Sequence, residues 1–275
     1  MKKCIITGSN GYLGLFLVSE FKKLGWEVLE LSSTYRNNQI EFQLNNLNNI
    51  NKEIFRDCNL LIHTSYDFAI NEKNFDKNHN VLGSIKLFEM AKSMNVEKII
   101  NISTISAFKN SKSLYGCIKF EIEERSRKFN VINLRPGLFF GKNSKIIKKI
   151  ENICRIFPII PMLGNGDFKL HLTNYHDLFQ FILEIYEDKN IDSSKILYPC
   201  TYEHITFKEL VMIISKNKKV LPLPLFLIFF VLKIFSTLRL KLPLDLDNLK
   251  GLVYYNDEID FRWNKKYKTK FRSID

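Results

Sequence analysis

Two sets of residues in this 275-residue sequence have types and spacings that chemistry can use. Tyr115 and Lys119 stand four apart in a stretch, 115–128, whose pattern predicts a helix, so they share one face. An ammonium held near a phenol lowers its pKa from about 10 toward neutral. Tyr115 would then serve as general acid and base, with Lys119 tuning it. Upstream, Ile102, Ser103, Thr104, Ile105 and Ser106 close a predicted strand, 98–103. The carboxyl edge of an α/β sheet is where ligands bind, so a hydroxyl there could hold a reacting oxygen.

The second set is Thr7, Gly8, Ser9, Asn10, Gly11, Tyr12, Leu13 and Gly14, directly after an apolar strand over 3–7. It opens a helix with Leu13, Phe16, Leu17 and Phe21 on one face. In a GxxGxxG turn, Gly8 permits the tight bend, Gly11 lets the backbone approach a pyrophosphate, and Gly14 lets the helix pack on the strand. The pyrophosphate would rest on the helix N-terminus, where free N–H groups and the dipole favour negative charge. Placed between strand and helix, the motif points to NAD or NADP held by Gly8, Asn10, Gly11, Tyr12, Leu13 and Gly14. The second strand ends in Ser32, Ser33 and Thr34 with Arg36 close by. An acid at that position suits NAD and an arginine suits NADP, so Ser32 and Arg36 tilt the reading toward NADP. Glu30 would be the ribose ligand if the strand register slipped by two.

The elements that must position these groups alternate. Strands are expected at 3–7, 27–31, 40–44, 60–64, 98–103 and 131–135, with helices between them. The clearest helix is 80–94, where Val81, Ile85, Phe88 and Ala91 recur at helical spacing. This is the pattern of an α/β chain with a Rossmann-type doubly wound parallel sheet. The cofactor part is expected over 1–141, with a returning segment at about 173–200 that carries a strand at 196–199. A small substrate-binding part is expected from 142–172 and 201–275, where Pro158, Pro161, Gly164 and Gly166 interrupt the alternation.

A hydrophobic fraction of 45% supports one substantial core. The net charge of +12 is spread along the chain, and the runs 216–219 and 265–270 read as solvated faces. With no helix-turn-helix, zinc finger or basic-aromatic module, no nucleic-acid partner is expected. The five cysteines show no CxxC spacing and the five histidines do not cluster, so neither disulfides nor a metal is expected. Met1, Lys2 and Lys3 run straight into the first strand without a leader's apolar region, which points to the cytoplasm. The apolar run 221–232 contains Pro222 and Pro224 and is too short to span a bilayer. A core or dimer-face helix is the favoured reading for it. The basic residues around it, Lys218, Lys219, Lys233, Arg239 and Lys241, leave open a peripheral membrane contact through 221–241.

Taken in order, TGSNGYLG at 7–14, LIHTS at 61–65, NVLGS at 80–84, INISTISAF at 100–108, YGCIK at 115–119, LRPGLFFG at 134–141, LGNG at 163–166 and NYHDL at 174–178 resemble the extended short-chain dehydrogenase/reductases, the sugar-nucleotide epimerase/dehydratase family. The resemblance runs along essentially the whole chain. It implies that Thr104 is the hydroxyl partner of Tyr115, that Lys119 also binds the nicotinamide ribose, and that Asn80 lies on the central helix behind the cofactor. It also implies cofactor contacts from Asn45, Thr64 and Pro136, and a small-molecule substrate of nucleotide-sugar type acted on by an epimerase or reductase. Four departures stand out. Ile105 and Ser106 replace the Asp and Glu of dehydratases, which argues against dehydration. Leu138 stands where many relatives grip a diphosphate with Asn. Asn45 replaces the usual Asp near the adenine, and Asn174 and His176 replace the usual His and Asp. A second reading is a cofactor-bound scaffold or regulatory subunit that docks a partner or membrane through 221–232.

Overall fold

In the computed structural model, which describes residues 1–34, 39–47, 50–141, 144–237, 246–254 and 259–274, the chain is built on a six-stranded parallel sheet. Its strands are β1 (Lys3–Thr7), β2 (Glu27–Ser32), β3 (Ile40–Glu41), β4 (Leu60–His63), β5 (Lys98–Ile102) and β6 (Ile132–Leu134), in the order β3-β2-β1-β4-β5-β6. The chain reverses its direction of winding between β1 and β4, which opens a crevice at their carboxyl ends. The third strand is two residues long where five were expected. The expected strand at 196–199 is a single parallel bridge between Leu197 and Leu134 at the far edge.

Period-two alternation sends the strand residues into two cores. Cys4, Ile6, Leu60, Ile62, Ile100 and Ile102 pack against α1 (Tyr12–Lys23) and α5 (Tyr175–Glu187) on one face. Ile5, Leu31, Leu61 and Ile99 pack against α2 (His79–Ser93) and α3 (Leu114–Ser126) on the other. Both helices on the second face start on a side-chain cap. Asn78 accepts from the N–H groups of Asn80 and Val81, and Ser113 accepts from that of Gly116. Cys4, Cys58, Cys154 and Cys200 are buried free thiols, and Cys117 is half-buried.

Beyond β6 a third core gathers Phe140, Ile150, Ile160, Met162, Leu172 and Leu210. It is built from β7 (Leu138–Phe140), α4 (Lys145–Ile156), β8 (Ile160–Leu163), β9 (Lys169–Leu170), β10 (Leu172–Asn174), β11 (Ile205–Thr206), α6 (Phe207–Ser215) and β12 (Val220–Leu223). Two further helices follow, α7 (Leu225–Thr237) and α8 (Leu246–Val253). Of the core or dimer-face helix that its sequence favours, α7 is not the core form, because Phe226 and Phe230 are exposed in the single chain. Arg239 and Lys241 lie outside the described residues.

Candidate active site

A cleft of about 790 Å³ runs along the carboxyl edge of the sheet. At its centre the glycine turn folds as the spacing requires. Gly8 takes φ +68°, and a Cβ there would lie 2.8 Å from Thr64 Oγ1. A Cβ on Gly14 would lie 2.2 Å from the Gly8 carbonyl oxygen, so only glycine lets α1 approach β1 this closely. Gly11 is the N-cap of α1 and brings no side-chain acceptor, and the first turn holds no acid. α1 therefore starts at the cleft without a side-chain cap or a first-turn carboxylate, a setting in which a helix N-terminus favours negative charge.

On the β2 side, Ser32, Ser33 and Thr34 line the cleft. The Asn10 amide ties the glycine turn to this end, donating to Ser32 Oγ at 2.8 Å and to the Thr34 carbonyl at 2.7 Å. Glu30 does not reach the cleft. Lys22 pairs with it at 2.5 Å and Gln39 donates to it at 2.9 Å. Gln43, Leu44 and Asn45 close the same end, and Thr64 lines the centre.

Beneath the centre, buried His63 joins β1, β4 and α2. The Ser84 hydroxyl donates to the Asn80 carbonyl at 2.7 Å, so it accepts from His63 Nε2 at 2.8 Å. His63 Nδ1 is then the acceptor for Thr7 Oγ1 at 2.8 Å, and Thr7 Oγ1 in turn accepts from the N–H groups of Thr64 and Ser65. The network assigns a neutral ring protonated on Nε2. Burial first, and the Lys119 charge second, hold its pKa well below the ordinary value.

On the β5 side, Ile102, Ser103, Tyr115 and Lys119 line the cleft together. The Lys119 ammonium is buried and donates to the Ile102 carbonyl at 2.8 Å, and burial lowers its pKa to about 8. It also sits 5.6 Å from the centre of the Tyr66 ring. Tyr66 meets the Tyr115 ring edge-on at 4.7 Å, and Phe68 stacks on Tyr115 at 5.8 Å. In this aromatic setting burial pushes the Tyr115 phenol up to about 12. The expected lowering by Lys119 does not occur, because the ammonium is spent on a backbone carbonyl and the phenol loses its water. One turn further along α3, Glu123 receives Ser103 Oγ and pairs with Arg135, which donates from Nη2 at 2.5 Å.

A model of the family described as NAD dependent epimerase/dehydratase matches residues 4–197, well over half of the chain and all of this cleft's parallel sheet. The chain belongs to the NAD dependent epimerase/dehydratase family. Among curated relatives, it is 25% identical over 198 residues to "NADH dehydrogenase [ubiquinone] 1 alpha subcomplex subunit 9, mitochondrial" of Dictyostelium discoideum. That match takes in 66% of this chain and 54% of the relative, so the chain spans about half the length of the relative it matches. The fold is shared with solved structures at low identity. The ADP-L-glycero-D-manno-heptose-6-epimerase of Helicobacter pylori is 15% identical, with a TM-score of 0.69 over 81% of this chain and 85% of that one. The dTDP-4-dehydrorhamnose reductase of Clostridium acetobutylicum is 21% identical, with a TM-score of 0.68 over 81% and 84%.

Within this family fold, Gly8, Asn10, Gly11, Tyr12, Leu13, Gly14, Ser32, Asn45, Thr64, Tyr115 and Lys119 all reach one cleft. Three expected residues do not line it. Thr104 faces its own turn and accepts from the Ser106 N–H at 3.3 Å, while neighbouring Ser103 lines the wall. Asn80 is buried and clamps the loop after β4, accepting from the Asp67 N–H at 2.7 Å and donating to the Asp67 carbonyl. Pro136 gives its carbonyl to the Ile105 N–H at 3.1 Å. Arg36 lies outside the described residues.

Sequence reading missed Tyr66, Phe68, Glu123 and Asp247. The i, i+4, i+8 series of Tyr115, Lys119 and Glu123 could have revealed the third. Nothing local marks Asp247, whose carboxylate accepts the Leu114 N–H at 2.5 Å and the Tyr115 N–H at 2.9 Å from 133 and 132 residues away. α8 thereby supplies a charge at the N-terminus of the helix that bears Tyr115, where the dipole favours it. Ser106 Oγ fastens α8 as well by donating to the Gly251 carbonyl at 2.9 Å.

Proposed function

We propose that the chain binds NAD or NADP along this cleft and moves a hydride to or from a hydroxyl or keto carbon of a small molecule, as an epimerase or reductase of nucleotide-sugar type. The observation that carries the reading is that one cleft joins the glycine turn to Tyr115 and Lys119. β2 and β5 lie three strand spacings apart across β1 and β4, about 14 Å, a span that suits an extended dinucleotide. The glycine turn fits a pyrophosphate, because Gly8 and Gly14 seat α1 close on β1 and α1 opens on the cleft without a side-chain cap or a first-turn acid.

When bound, the dinucleotide supplies the acceptor and donor of hydride. The protein's own part is the proton. With its pKa raised, Tyr115 carries a proton at neutral pH and donates to a carbonyl oxygen as that carbon is reduced. In the reverse direction it needs help to give up its proton, which a ligand that draws Lys119 away from Ile102 toward the phenol would provide. Ser103 brings its hydroxyl to the cleft wall, where it donates to Glu123 and can accept from a substrate hydroxyl. The serine-lined β2 end holds no carboxylate among the described residues, which favours NADP by removing a charge that would repel a 2′-phosphate. Ile105 and Ser106 lack the carboxylates that would expel water, so simple hydride transfer is preferred over dehydration.

Incubation with NADH or NADPH and a panel of nucleotide sugars tests the proposal. A reductase consumes the reduced cofactor in proportion to product, and an epimerase converts substrate with no net redox change. A second reading, a cofactor-bound structural subunit, draws on the Dictyostelium relative, whose printed name makes it a subunit of a larger complex. Tyr115→Phe separates the two, since a scaffold keeps its role in the cell and an enzyme does not.

A further inference from the structure

We propose that the chain rests on anionic bilayer surfaces through two exposed apolar groups, the Phe226 and Phe230 face of α7 and the segment that leads into β8. The strands β8 and β12 pair in parallel, with Ile160 beside Val220 and Pro161 beside Leu221. In a parallel pair the segments entering both strands emerge at the same end, so Ile156, Phe157 and Ile159 lie beside the turn that carries Lys216 and Lys219. All five of these residues are exposed, Ile156 at 72%. Along the ladder Leu221 is exposed, and past it α7 presents Phe226 and Phe230, one turn apart, at 69% and 61%. A flank of α7 is occupied, for Phe229 stacks on Tyr254. Water therefore meets two groups of large apolar side chains that a monomer in solution would have reason to hide.

Charge selects the occupant. No Asp or Glu occurs between 153 and 163 or between 210 and 244, while Arg155, Lys216 and Lys219 are exposed beside Ile156, Phe157 and Ile159. A second copy of this chain would bring the same cations and the same net charge of +12 against them. Anionic headgroups above an acyl layer match both features at once. With 13 residues, α7 is roughly 20 Å long and short of the hydrocarbon thickness, so it lies in the interface. Among the described residues no helix is long and apolar enough to cross a membrane. This inference does not depend on the chemistry in the cleft.

Flotation of the full chain with phosphatidylcholine vesicles, with and without phosphatidylglycerol, tests it. Binding is expected to the anionic vesicles, to fall with added salt, and to weaken about fivefold for each cation removed in the Arg155→Gln, Lys216→Gln, Lys219→Gln series. The pair Phe226→Ser and Phe230→Ser is expected to abolish flotation while NADH affinity and melting temperature stay at wild-type values. Should that pair fail to fold, the charge series, which touches exposed side chains alone, decides. The proposal is overturned if the wild-type chain does not float with anionic vesicles at low salt. It is equally overturned if light scattering finds a dimer that the serine pair converts to monomer, since the α7 face would then belong to a second copy.

Discussion

At Tyr115, packing against Tyr66 and Phe68 removes water from the phenol, and the resulting pKa of about 12 makes its oxygen a proton donor at neutral pH. Tyr115→Phe deletes that oxygen and keeps the ring contacts. Turnover is expected to fall about 10²- to 10⁴-fold, with cofactor affinity and melting temperature unchanged. His63 gives a pH dependence of definite sign. Its pKa is depressed in the folded chain, so below the unfolded value of about 6.5 the unfolded state binds more protons and stability falls as pH falls. Urea titrations should show wild type losing up to about 1.4 kcal/mol per pH unit below 6.5 through this group, a component absent from His63→Gln. The four-residue spacing of Tyr115 and Lys119 was legible in the sequence. Their proton affinities were not, because those depend on Tyr66, Phe68 and the Ile102 carbonyl, which only the fold brings to α3.

Among the elements, α1 and α3 carry the site, and each is fixed by a feature that a substitution can remove. In Gly14→Ala the new Cβ would fall 2.2 Å from the Gly8 carbonyl oxygen, so α1 must back away from β1. A loss of about 1 to 3 kcal/mol in stability and of most dinucleotide affinity is expected, read by urea unfolding and NADH fluorescence. Asp247→Asn keeps a polar group near α3 and removes its charge. It should cost about 0.5 to 1 kcal/mol and reduce kcat more than it raises KM, since it loosens the backbone N–H groups of Leu114 and Tyr115. Apolar runs located β1, β2, β4 and β5 to within a residue or two, because buried parallel strands have little freedom in composition. They overstated β3, since the run 40–44 turns away after Glu41 to bring Gln43, Leu44 and Asn45 to the cleft. The reach of α8 to α3 leaves no periodic trace in either helix.

On the scale of the whole molecule, residues 264–272 lace the chain's end along α5. Lys266 and Tyr267 bind Asp188, Thr269 Oγ1 donates to Glu184 at 3.0 Å, and Arg272 pairs with Asp177 at 2.6 Å, while Tyr267 and Phe271 pack on Phe181. Phe271→Ala together with Arg272→Ala should lower stability by about 3 kcal/mol in urea unfolding, although both residues are remote from the cleft. The alternation of strands and helices and the glycine turn could be anticipated because strand, turn and helix are local signals. The partners of the tail could not, because Asp177, Glu184 and Asp188 lie more than 75 residues away from it. The account stands on one cleft holding one dinucleotide, and titration of the purified chain with NADH and NADPH measures this directly. Saturable binding of one dinucleotide per chain is expected, with thermal stabilisation of about 2.7 kcal/mol at a hundredfold excess over Kd and loss of both signals in Gly14→Ala. Absence of binding to either dinucleotide by the folded wild-type chain would contradict the account.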